Sequence, residues 1–185
     1  SLRKNLISEV VQSAKHIPTK IPVILYSSRD EILDYLGYRH ITGVKDWGAL
    51  EKARYLDQLY RSHIDKVGQD QIYSVLAKMI GSRTDYVSKL HTALKLYNLA
   101  NDDAYYGAEI EEDDFNFSWL TTALSFSDTV SYLGLSSAGD STLSGLDKDK
   151  FAQLFVWLFD PKKKKVHDSR QISDLNKILK SGPAL

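Results

Sequence analysis

IYSVLAKMIGSRTDYVSKLHTAL, residues 72–94, decides how this chain is read. Ile72, Val75, Leu76 and Ile80 recur at helical spacing, and so do Val87, Leu90 and Leu94; the two runs predict two helices with a break at Gly81-Ser82-Arg83-Thr84. Ala77 is small enough to let two helix backbones approach. Gly81, four residues on, supplies the left-handed backbone that ends a helix. Val87 and Leu90 then plug the second helix onto the first. This is the spacing of a helix-turn-helix, two helices crossing steeply through a tight turn. A plain helical hairpin with a solvated outer face has the same pattern.

The second helix is expected to turn Arg83, Thr84, Asp85, Ser88, Lys89 and Thr92 away from Val87, Leu90 and Leu94. Those residue types suit duplex DNA. Arg83 and Lys89 can meet guanine edges or phosphates, and Thr84, Ser88 and Thr92 offer hydroxyls. Asp85 can accept from a cytosine amino group or orient Arg83.

Working outward, Leu50 to Ile64 predicts an amphipathic helix burying Leu50, Ala53, Leu56, Leu59, Tyr60 and Ile64. The second helix of the pair is expected to run from Thr84 to Leu99. Toward the N-terminus, Leu2 to His16 is helical in period. Ile21 to Tyr26 is a short β-rich run, and Ser27 or Ser28 caps a helix to about Leu36. Toward the C-terminus, NDDAYYGAEIEEDD (residues 101–114) breaks the pattern and is the expected acidic linker. Helices are expected at about 116–133, 147–159 and 168–180. Phe151, Phe155, Phe159, Trp119 and Trp157 are the candidate C-terminal core, or alternatively a surface for self-association. The fold class is therefore mainly α: a helix-turn-helix unit (48–100) with a short residual β-strand before it and a second helical domain (115–185) after it.

The totals exclude several classes. The formal net charge of the 185 residues is zero, so any nucleic-acid surface is local. There is no cysteine, hence no disulfide, thiolate metal site or cysteine nucleophile. No apolar run approaches the ~20 residues that span a bilayer, which predicts no membrane partner and a cytoplasmic protein. The five histidines show no metal-ligand spacing. Glu109, Glu111, Glu112, Asp113 and Asp114 are the carboxylates a metal-dependent nuclease would draw on, without distant ligands to match. Lys162 to Lys165 is a run that either grips phosphates or is solvated.

The order of strand, loop, helix and helix pair resembles the ParB-like family of DNA-partition and nucleoid-occlusion proteins. KIPVILY (residues 20–26) is similar to the strand that ends the family's N-terminal domain. LEKARYLDQLY (50–60) resembles the next helix, and VLAKMIGSRTDYVSKLHTALKLYNL (75–99) the DNA-reading pair. The resemblance implies sequence-specific binding of double-stranded DNA, association with the nucleoid, a partition or regulatory role, and dimerisation on a palindromic site. It makes residues 1–47 the remnant of an N-terminal domain, consistent with a start at Ser1-Leu2 that suggests a fragment. In place of the family's phosphate motif stands YLGYRHITG (35–43), leaving Arg39 and His40 as candidate phosphate ligands. The family's Gly-Glu-Arg-Arg nucleotide motif is absent, so no cofactor and no catalytic residue is expected. The alternatives are a helical protein-interaction or dimerisation module, or part of a ParB-like metal-dependent nuclease.

Overall fold

The computed structural model describes residues 47–110 and 115–180, together with residues 20, 22–29, 31, 32 and 35. Seven α-helices lie in the two main stretches: α1 (Ala49–Val67), α2 (Ile72–Met79), α3 (Thr84–Asp102), α4 (Phe117–Ala123), α5 (Ser127–Tyr132), α6 (Lys148–Phe159) and α7 (Gln171–Lys180). The chain is mainly α. Among the described residues, none of the helices is long and apolar enough to cross a membrane.

Helices α1, α2 and α3 pack on one another as a three-helix unit. The periodicity places their contacts: Leu50, Ala53, Leu56 and Leu59 of α1 meet Ile72 and Leu76 of α2 and Val87, Leu90 and Leu94 of α3 in the core. The end of α2 follows from Gly81, whose φ is +63°. Its N–H donates to the Lys78 carbonyl, and the Ser82 N–H reaches back to the Ala77 carbonyl at 2.8 Å. This double closure satisfies carbonyls that the helix end leaves open. Ahead of the unit, Ser28 Oγ accepts from the Glu31 N–H and the Glu31 carboxylate accepts from the Ser27 N–H, a reciprocal cap of the kind expected there.

Three expectations are modified. The β-rich run is not a strand over its described residues 22–26, and Val23, Ile24 and Leu25 are exposed. The helix expected over 116–133 breaks at Leu124–Phe126 into α4 and α5, at a point with no glycine or proline. The expected linker is, over its described part, a packed seam. Helix α3 runs on to Asp102, and Ala104–Gly107 forms one tight turn in which all four residues have φ between 49° and 73°. That turn lays Tyr105 flat on Phe155 (centroids 6.0 Å apart) and Tyr106 edge-on to Phe151 (5.9 Å). Buried residues on both sides of the seam, from Leu50 to Leu175, belong to one hydrophobic cluster. Phe151, Phe155 and Phe159 are buried in it, while Trp119 and Trp157 pack on its margin. Each buried phenylalanine contributes about 2–3 kcal/mol, so the seam is energetically a core.

Candidate nucleic-acid interface

Helix α3 has two different ends. Its first turn projects from the Gly81 bend. Arg83 and Asp85 are exposed, with side-chain exposures of 80% and 66%, and Thr84 is exposed beside them. The Arg83 guanidinium forks onto the Asp85 carboxylate, Nε at 3.0 Å. The hydrogen bonds and charge of Asp85 raise the Arg83 pKa, and those of Arg83 lower that of Asp85. The pair is thus ionised at any working pH and electrically self-cancelling. Lys78, at the end of α2, is exposed next to this bend.

One turn further in, α3 is covered. Gly139 sits so close that a Cβ there would lie 2.5 Å from Ser88 Oγ and 2.9 Å from Ser88 Cβ. Lys89 is half-buried and donates to Ser125 Oγ at 2.8 Å. Thr92 is fully buried, its Oγ1 donating to the Ser88 carbonyl at 3.1 Å. The assignment of Thr92 to a solvent-facing DNA surface is therefore corrected. It is short and satisfies its own hydroxyl along the helix, so it is buried at no hydrogen-bonding loss. Of the six candidate DNA contacts, Arg83, Thr84 and Asp85 are together and exposed, Ser88 and Lys89 lie under the 125 and 139 loops, and Thr92 is interior. Arg39 and His40 lie outside the described residues.

A polar cluster invisible to the spacing arguments lies on the same helix. His91 is 1% exposed. Its Nε2 is 3.1 Å from Asp57 Oδ1 on α1, and its Nδ1 is 2.8 Å from the Tyr73 hydroxyl on α2. The Tyr73 hydroxyl is in turn 2.5 Å from Ser141 Oγ. Arg61 closes the far end, with Nε 2.8 Å from the Asp57 carboxylate. Burial pushes the Asp57 pKa up, but the bonds from His91 and Arg61 outweigh it and hold the carboxyl below its usual range. Burial pushes the His91 pKa down more than Asp57 raises it, so the imidazole is neutral at pH 7. Burial also pushes the Tyr73 phenol up to about 12. The Tyr60 ring packs on both His91 and Tyr73 at 4.5 and 5.7 Å. The serine end opens on a cleft of about 490 Å³ between the three-helix unit and residues 136–142, with Lys95 and Asp70 on its walls.

Among the described residues, no three His, Asp or Glu side chains are grouped to hold a metal ion. Glu109 is paired with Lys162 at 2.8 Å; residues 111–114 lie outside the described residues. Lys163 lies 3.9 Å from the buried Asp160. A scan against protein-family models and searches of curated proteins and of solved structures find no match to this chain.

Proposed function

We propose that the chain binds double-stranded DNA through its helix-turn-helix, with the first turn of α3 as the reading element. The observation that carries this reading is the Gly81 bend, which leaves Arg83, Thr84 and Asp85 exposed at the leading end of the second helix. In helix-turn-helix readers the N-terminal residues of that helix contact the base edges. In this reading Arg83 leaves Asp85 for a guanine edge, Asp85 or Thr84 meets the neighbouring base, and Lys78 contacts a phosphate. The ParB-like resemblance supports a partition or regulatory role, nucleoid association and dimerisation on a two-fold site. Arg39 and His40 remain candidate phosphate ligands within it.

Fluorescence anisotropy with random duplex DNA at about 50 and 200 mM salt tests the reading. Steep weakening with salt is expected, with a slope reduced by about one in Lys78→Ala. Arg83→Ala is expected to weaken binding further. Absence of binding at the lower salt overturns it. A second reading, a helical protein-interaction module, is favoured by the way residues 125 and 139 cover Ser88 and Lys89. Light scattering across a concentration series decides for it if the chain self-associates without binding DNA.

A further inference from the structure

Ser88 stands three residues after Asp85 and four after Thr84, so it continues the face of α3 that the first turn opens. Gly139 rests on it, with room for no Cβ: one there would lie 2.5 Å from Ser88 Oγ and 2.9 Å from Ser88 Cβ. The major groove is about 12 Å wide, and a helix with its side chains already measures about 10–12 Å. A backbone segment lying on that face leaves no space for α3 to sink into the groove beyond its first turn.

That segment belongs to a loop, residues 135–144, with the features of a self-contained body. Its neck is pinched where the Gly134 and Gly145 backbones touch too closely for either to carry a Cβ. The Asp147 N–H donates across the neck to the Leu133 carbonyl at 2.9 Å. Inside the loop, the Asp140 carboxylate accepts from the hydroxyl and backbone N–H of both Thr142 and Ser136. Those bonds, the Thr142 hydroxyl foremost, hold its pKa at about 2. None of them reaches α2 or α3. Among the described residues, the hydrogen bond from the Tyr73 hydroxyl to Ser141 Oγ is the one that ties residues 136–144 to the three-helix unit. Ala138 and Leu143 are only partly buried, and the cleft of about 490 Å³ lies beneath the loop. The loop thus spans the unit without filling its core, and lifting it keeps its internal bonds.

We propose that residues 135–144 form an autoinhibitory lid on the DNA-reading face of α3, closed in this structure, which lifts from Ser88 when the helix seats in the major groove. The proposal rests on the DNA-binding reading above. With the lid closed, Arg83, Thr84 and Asp85 alone reach the duplex; with it open, Ser88 joins them. Lys89 stays with Ser125, which lies outside the loop. The observed affinity is then the affinity of the open form reduced by the fraction of molecules that are open.

The test is anisotropy of the full chain with random duplex DNA at about 50 mM salt. Gly139 is not among the left-handed glycines, so Gly139→Ala burdens the contact with Ser88 and not the backbone. It is expected to bind DNA about tenfold more tightly than the parent. Ser88→Gly/Gly139→Ala removes the atoms that the new methyl strikes and is expected to bind like Ser88→Gly alone. Ser88→Cys/Gly139→Cys supplies the only thiols in the chain, and a shift of about 1 Å brings their Cβ atoms to disulfide spacing. Its oxidised form is expected to bind about tenfold more weakly than its reduced form, with dithiothreitol restoring the affinity. Equal binding by the two forms, once thiol titration shows the bond made, overturns the lid and leaves the DNA reading standing. So does Gly139→Ala at the parent affinity. If neither the parent nor Gly139→Ala binds duplex, the DNA reading fails and the lid fails with it. Melting curves check each fold, and either the wedge or the cysteine pair decides the matter if the other unfolds.

Discussion

The three-helix unit carries two polar clusters that differ in every physical respect. The Arg83–Asp85 pair is exposed, joins residues two apart in sequence, and cancels its own charge in water. The Asp57–His91–Tyr73–Ser141 chain centres on the buried His91 and joins residues 34, 18 and 68 apart. An exposed pair contributes little to stability because solvent already screens it. Buried polar groups cost stability unless every partner is present. The first cluster is therefore free to serve recognition, and the second is bound into the fold.

Thr92→Lys is the sharpest way to break that contrast. Thr92 is fully buried, so a lysine there is expected to cost about 4 kcal/mol or more in urea denaturation. If the outer face of α3 were free, the same change would leave the midpoint alone and strengthen DNA binding. Next in size, His91→Ala strands the Asp57 carboxylate and the Tyr73 hydroxyl. A loss of about 3 kcal/mol is expected by the same measurement, whereas Arg83→Ala is expected to leave the denaturation midpoint unchanged.

Acid sharpens the comparison further. His91 has a folded pKa below its ordinary 6.5. The unfolded chain therefore takes up that proton first. Stability from this group is complete above pH 6.5 and is lost as the pH falls below it toward the folded value. Asp57 is held below 3.8, so a second loss begins under that pH. Urea midpoints measured from pH 8 to 3 are expected to fall in those two stages. The first stage is expected to disappear in His91→Gln, and both to persist in Asp85→Asn.

The helices were legible because their information is local. Ile72, Leu76 and Ile80, then Val87, Leu90 and Leu94, repeat at the helical period, and Gly81 marks the bend with a residue suited to its left-handed backbone. Periodicity also separates polar from apolar faces, and there it misread Thr92. A threonine on a helix can return its hydroxyl to the preceding turn, so polarity alone does not keep it in water. The acidic stretch was misread for a related reason: Tyr105 and Tyr106 stand among Asp102, Asp103, Glu109 and Glu111, and composition averages them away. The buried chain had no sequence signal at all. His91 sits on the apolar side of α3 between Leu90 and Thr92, and nothing in its neighbourhood points to Asp57 or Ser141.

The turn at 104–107 has a further implication. Left-handed backbone costs an alanine or tyrosine about 1 kcal/mol or more apiece, and three such residues stand in a row before Gly107. Ala104→Gly is accordingly expected to raise stability by about 0.5–1 kcal/mol, read from thermal melts. A conformation that is unfavourable alone persists only while Phe151 and Phe155 on one side and the end of α3 on the other hold the two tyrosines. The seam thus acts as a clasp that neither half can close by itself. The first half and the last are accordingly expected to melt in one cooperative transition by calorimetry.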